Sequence, residues 1–173
     1  MTSRAPIGDT AARFNACAKP VIESLRSSGK TKGEPHVLDL GCGSGVLTLP
    51  AALMVPEAIF YGLAPDARDV AALKKNAMAS DAGNIVPMRF DGTLPDRCAT
   101  LWGVFSMGFL PTLPADDAWN ILRAVVRALI PGALARIEFT DDEALRLLKE
   151  WGMDVKAVDS YPFGTFVTAR KPL

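Results

Sequence analysis

Apolar positions change period several times along the chain, and each change marks an element. Across residues 9–28 they recur at helical spacing, with Phe14, Val21, Ile22 and Leu25 on the inward side. Pro20 interrupts this stretch, because proline lacks an amide and crowds the carbonyl four residues back; two short helices or one kinked helix is predicted. The polar run Ser27-Ser28-Gly29-Lys30-Thr31-Lys32-Gly33 then leads through Pro35 to a short apolar run, residues 36–40, that reads as a buried strand. The next helix must accommodate Pro50, which it can if regular helix begins near Leu47, since first-turn amides have no partner inside a helix. Residues 58–62 read as a second strand. Residues 65–79 read as a helix with Ala67, Val70, Leu73 and Ala77 on one face and Lys74 and Lys75 in water.

Residues 85–90 and 101–106 predict two more strands, and residues 116–130 a helix carrying Trp119, Leu122, Val126 and Leu129 inward, stopped by Pro131 and Gly132. Residues 133–139 form a fifth strand. Thr140 and Glu143 have the spacing of a capping box that opens a helix through Trp151, with Gly152 closing it. Residues 154–159 and 165–170 are both strand-like, and only five residues separate them. A parallel pair needs a crossover of a dozen or more residues, so these two pair antiparallel. The predicted architecture is α/β: a doubly wound, mostly parallel, Rossmann-like sheet with helices on both faces and a C-terminal antiparallel hairpin. We read residues 1–173 as one domain, with 1–35 a helical cap and linker and 36–173 the sheet core.

Composition narrows the function classes. Hydrophobic residues make up 49% of the 173, enough for a sizeable core. Nineteen basic residues balance nineteen acidic ones, so no long-range positive field favours nucleic acid. The most apolar stretch, residues 46–63, is broken by Pro50, Pro56 and Glu57, so no membrane span is expected. The N-terminus has no apolar run of the secretory type. Three cysteines, Cys17, Cys42 and Cys98, are an odd number without metal-ligand spacing, and His36 is the one histidine. These features suit a cytoplasmic protein without a zinc site.

The strongest chemical signal is Val37-Leu38-Asp39-Leu40-Gly41-Cys42-Gly43-Ser44-Gly45, a strand running into alternate glycines and then a helix. Such a turn brings backbone close to a ligand, and the helix behind it presents unpaired amides. Spacing separates the ligands: a dinucleotide fingerprint would place its third glycine at Val46, whereas it falls at Gly45, and the Lys-Ser/Thr of a phosphate-binding loop is missing.

An acidic residue followed by three alternating glycines resembles the first motif of class I S-adenosylmethionine-dependent methyltransferases. Leu129-Ile130-Pro131-Gly132 and Trp151-Gly152 are similar to that family's turns before its fifth and sixth strands. The resemblance implies a seven-stranded sheet ending in an antiparallel hairpin, which agrees with the last two strands read independently of the glycines. It implies S-adenosylmethionine as cofactor, with Asp39 facing the methionine amino group and Gly41, Gly43 and Gly45 lining methionine and ribose through backbone. Cys42 lies within the turn as a small buried filler. Asp91-Gly92, after the third strand, takes the position of adenine recognition, and Ser106 opens the acceptor-side loop, residues 106–111. The family's ribose-binding carboxylate at the end of the second strand is missing: Gly62 or Ala64 stands there, and Asp66 is the nearest acid. The expected cofactor-binding set is Asp39, Gly41, Cys42, Gly43, Gly45, Asp66, Asp91, Gly92 and Ser106, with no catalytic residue assigned and no metal.

The fourth strand also lacks the family's acid near Gly103, and the Asn/Asp-Pro-Pro-aromatic signature of base and glutamine methylation is missing. The implied reaction is methyl transfer by in-line displacement to a small-molecule or peptide acceptor, with few substrate-selecting elements and room for a partner protein. Phe14, Asn15, Trp102, Phe109 and Tyr161 are candidate acceptor-pocket residues; His36 starts its strand and falls at the wrong edge. Asp116, Asp117 and Asp159 read as helix-start or hairpin acids. Two alternatives stay open: a degenerate, non-catalytic methyltransferase-like subunit, and an NAD-dependent oxidoreductase.

Overall fold

Seven strands form one sheet in the order β3-β2-β1-β4-β5-β7-β6 in a computed structural model that describes residues 7–28, 33–139 and 142–173. The strands are β1 (His36–Leu40), β2 (Ile59–Ala64), β3 (Ile85–Arg89), β4 (Leu101–Ser106), β5 (Leu129–Phe139), β6 (Asp154–Tyr161) and β7 (Gly164–Arg170). The helices are α1 (Ile7–Ala16), α2 (Ala18–Ser27), α3 (Thr48–Met54), α4 (Ala67–Ala79), α5 (Ala115–Ala128) and α6 (Glu143–Glu150). Strands β1 to β5 pair in parallel, while β7 pairs antiparallel with both β5 and β6. The doubly wound sheet with its terminal hairpin is therefore present. Strand order reverses between β1 and β4, which opens a crevice beyond their carboxyl ends.

Alternate strand residues feed two cores. Leu38, Leu40, Leu63 and Val104 pack with α5 and α6, whereas Val37, Phe60, Phe105 and Leu134 pack with the first four helices. Gly103 lets α2 lie directly on β4: a Cβ there would stand 2.5 Å from Val21 Cγ1. That contact leaves no room for a side chain at position 103 itself.

The chain break predicted around Pro20 falls at Cys17, and Pro20 is the third residue of α2, inside the turn that tolerates it. Proline removes the amide that would have bonded the Ala16 carbonyl, and the Arg136 guanidinium takes that oxygen instead, Nε donating at 2.8 Å. Helix α5 is shorter than predicted. It ends at Ala128, and Leu129 already pairs with Leu101, because a residue before proline is pushed out of helical geometry and Pro131 cannot donate. Pro131 and Gly132 thus make an irregularity inside β5, not a helix stop, and the β4–β5 register shifts there. Gly152 (φ +79) ends α6 as expected, its amide bonding the Lys149 carbonyl while Met153 bonds Leu148. Thr140, the expected cap of this helix, and residues 29–32 of the polar loop lie outside the described residues.

Candidate functional site

The glycine turn leaves β1 at the crevice, and its three glycines serve different ends. Gly41 (φ +91) is pressed against Phe109, whose Cβ would be 2.2 Å from an added Cβ; Gly45 (φ +94) lies against Leu73 of α4 at 2.4 Å. Gly43 (φ +51) faces open space, with nothing within 4 Å of its Cβ position. The amides of Gly41 and Cys42 both bond the Leu63 carbonyl at 2.9 Å, and Gly45 bonds Cys42. Among the described residues nothing accepts from the amides of Gly43 and Ser44. Asn76 of α4 fastens the turn from behind, donating Nδ2 to the Ser44 carbonyl at 3.0 Å. The turn thus holds two unpartnered amides and a bare glycine at the carboxyl end of β1, where the crevice opens, an arrangement suited to an anionic group.

Asp39 stands beneath the turn, 2% exposed, with Oδ2 accepting from the Thr48 hydroxyl at 2.6 Å. Burial pushes its carboxyl up to about 7, with the Thr48 hydrogen bond pulling the other way. No donor among the described residues reaches Oδ1. Cys42 is 6% exposed; burial raises its thiol, which packs as the filler the sequence suggests.

At the end of β3, Asp91 Oδ1 accepts from the Thr93 amide (3.2 Å) and hydroxyl (2.9 Å), which holds its carboxyl below the usual range. The other oxygen is left to solvent beside Gly92 (φ +104). Asp66 is engaged locally. It caps α4, accepting from the Arg68 amide at 2.8 Å and from the Arg68 guanidinium at 2.6 Å, so its carboxyl is lowered to about 2. Neither β2 candidate for the ribose acid has room. A Cβ on Gly62 would lie 2.5 Å from Leu73, and Ala64 is fully buried. Ser106 does not offer its hydroxyl to the crevice; at 1% exposure it donates to the Leu40 carbonyl at 2.7 Å and ties β4 to β1.

Two charged residues missed by sequence reasoning belong to this edge. Arg136 of β5 lies in register with Phe105 and, through it, with Asp39. It is 2% exposed, bonds Asp159 at 2.6 Å and the Thr168 hydroxyl, and lies over the Phe166 ring at 5.3 Å. Glu138, two residues on, accepts from the Gly108 amide at 2.6 Å. Cys17, fully buried between the helices, has its thiol raised by burial and by both Asp39 and Glu138. Alternation along β5 signals that 136 and 138 share one face; nothing in sequence tells that the face is the one bordering the crevice.

The acceptor-pocket candidates divide. Tyr161 stacks on Phe163 at 5.4 Å, Arg13 of α1 lies over Phe163 at 5.6 Å, and Phe14 is half-buried in the same core. Phe109 is 5% exposed and acts as the wall behind Gly41. Trp102, second in β4, lies toward the opposite edge, and Asn15 is exposed. Asp116 and Asp117 are in the exposed first turn of α5. His36 packs edge-on against Tyr61 at 5.3 Å, at the amino edge.

A family model described as a methyltransferase domain matches residues 37–132. No curated protein is significantly similar in sequence. Solved structures of similar fold include a magnesium protoporphyrin IX methyltransferase from Synechocystis with bound S-adenosylhomocysteine (TM-score 0.71, 16% identity, 99% of this chain and 90% of that one). An S-adenosylmethionine-dependent methyltransferase from Aquifex aeolicus gives TM-score 0.65 at 17% identity over 96% of this chain and 98% of its own. A precorrin-6Y methyltransferase from Geobacter metallireducens gives 0.64 at 19% over 88% and 86%.

Proposed function

The chain belongs to the family of methyltransferase domains, and from that premise we propose that it binds S-adenosylmethionine at the carboxyl edge of β1 and β4 and passes a methyl group to a small-molecule or peptide acceptor. The observation that carries the reading is the cradle at Gly43: two amides without partners, a glycine with open space before it, and a buried carboxylate with one oxygen lacking a donor. These features suit an amino-acid ligand, because amides complement a carboxylate and Asp39 complements an ammonium. The bound donor supplies an activated methyl on a sulfonium, whose departure as a neutral thioether needs no metal.

The free amides of Gly43 and Ser44 would hold the donor, Gly41, Cys42 and Gly45 would shape and line the turn that presents them, and Asp91 with Gly92 would take the adenine amine through the unused carboxylate oxygen. Asp66 is the nearest acid to the ribose, and it reaches a hydroxyl only by releasing Arg68. Ser106 would contribute by locking β4 to β1, so that the crevice floor keeps its shape. What remains for the protein is to hold the acceptor in line and dry, which supplies most of the acceleration in a displacement of this kind. Residues 1–173 would act as one domain, α1 and α2 closing the acceptor side.

Calorimetric titration with S-adenosylmethionine and S-adenosylhomocysteine tests the reading: micromolar one-site binding is expected, and preferential binding of NAD would replace it with the oxidoreductase alternative.

A further inference from the structure

Glu138 is a half-buried carboxylate at the carboxyl end of β5, and no Lys, Arg or His among the described residues pairs with it. Its neighbour Arg136 is committed to Asp159, Thr168 and the Ala16 carbonyl. Two backbone features hold it in place. Oε2 accepts from Gly108, in the loop that follows β4, and Oε1 occupies the space a Gly164 side chain would need, 2.5 Å from that Cβ position. Gly108 (φ +73) is exposed and has nothing within 4 Å of its Cβ position, and Glu138 is only partly buried, so their hydrogen bond lies where solvent reaches the end of β5. Since Ser106 pairs with Ile137, Glu138 stands one step beyond the sheet's last β4–β5 pair. It is two strands from the glycine turn, roughly 10 Å at the usual strand spacing. Its partner across the sheet, Phe166, meets Tyr161 and Phe163 edge-on, and Arg13 of α1 lies over Phe163.

We propose that Glu138 is the acceptor-side carboxylate: it faces the transferring methyl group and selects acceptors that bring an N–H or O–H proton to it. In the displacement, the acceptor's lone pair forms the bond to the methyl carbon, and the carbon–sulfur bond breaks with its electron pair going to sulfur. The acceptor's proton passes to Glu138. The proposal rests on the donor site being at the Gly43 cradle. It names the acceptor class as amines and hydroxyl compounds that must lose a proton, as distinct from thiolates, which need no base.

The test needs no known acceptor. Three ligands differ only at the reacting centre: S-adenosylhomocysteine, with a neutral sulfur; S-adenosylmethionine; and the analogue in which a carbon bearing a protonated amine replaces the methylated sulfur. Wild-type protein should bind the amine analogue about tenfold or more tighter than S-adenosylhomocysteine, through the attraction of its ammonium to a carboxylate one acceptor atom away. Glu138→Gln, which can still accept from Gly108, should lose that preference while keeping its affinity for S-adenosylhomocysteine within about twofold. An equal preference in both proteins overturns the proposal, as does an equal loss for all three ligands, which would mark a purely structural residue. If Glu138→Gln does not fold, Glu138→Asp keeps the charge but withdraws it by a methylene; a preference below wild type supports the proposal and an unchanged one overturns it. Wild-type protein silent toward all three ligands overturns the donor reading, and this proposal with it.

Discussion

Replacing Gly43 by leucine separates ligand contact from packing within one turn. At φ +51 a side chain costs about 1 to 2 kcal/mol in backbone strain, and the space around its Cβ is open, so no packing penalty adds to it. For a chain of 173 residues that is a melting shift of roughly 2 to 8 °C. The leucine would project into the crevice and block the amides of Gly43 and Ser44. Two hydrogen bonds to a charged ligand group are worth about 3 to 6 kcal/mol together, so affinity for S-adenosylhomocysteine should fall at least about a hundredfold. Gly41→Ala provides the contrast. Its new Cβ would lie 2.2 Å from Phe109 Cβ, an atom one bond from the backbone. Overpacking and strain together should cost about 2 to 5 kcal/mol and lower the melting temperature further than the larger change at Gly43. Calorimetric titration with parallel melting curves measures both. Gly43→Leu binding as tightly as wild type would refute the placement of the ligand.

Other expected outcomes follow from the charged groups. Asp39 has a folded-state value near 7 against an ordinary 3.8, so the native state favours its protonated form. That contribution is complete below about pH 4 and is lost as pH rises toward 7, by at most about 4 kcal/mol; urea unfolding of Asp39→Asn should show a flatter pH slope across that window, and an unchanged slope contradicts the burial argument. An ammonium-bearing ligand prefers ionised Asp39, so affinity for S-adenosylmethionine should rise as pH passes through about 7, and Asp39→Asn should abolish the rise. Asp91→Ala should weaken binding about tenfold or more with little change in melting; a neutral result rejects its adenine role. Arg136→Met should cost about 1 to 3 kcal/mol in urea unfolding, since it leaves the Ala16 carbonyl without its donor while half-exposed Asp159 returns to water; unchanged stability would deny that Arg136 ties α1 and α2 to the sheet.

The fold was legible where local rules and burial agree. His36–Leu40 and Leu101–Ser106 are strands at the expected bounds, and the short link before β7 dictated an antiparallel hairpin. It was less legible where a residue acts at a distance. Pro20 signals a break, and the break settles at Cys17, which places Pro20 in the first turn of α2, while Arg136, 120 residues from Ala16, takes the freed carbonyl. Pro131 reads as a helix stop, whereas the sheet recruits Leu129 first. At the site, the alternating glycines announce a close backbone approach, and only packing against Phe109 and Leu73 separates Gly43 from its neighbours. Ser106 looks like a crevice hydroxyl until the β1–β4 pairing gives it the Leu40 carbonyl. Arg136 and Glu138 carry no motif, and their importance comes from the register of β5 against β4 and β7.

The most direct measurement is titration of the wild-type protein with S-adenosylhomocysteine, followed by a crystal structure of the mixture. One site of micromolar affinity is expected, with the amino-acid end of the ligand on the amides of Gly43 and Ser44 and its amine toward Asp39. No heat at millimolar ligand, or density for the nucleoside anywhere other than the carboxyl edge of β1, would contradict it.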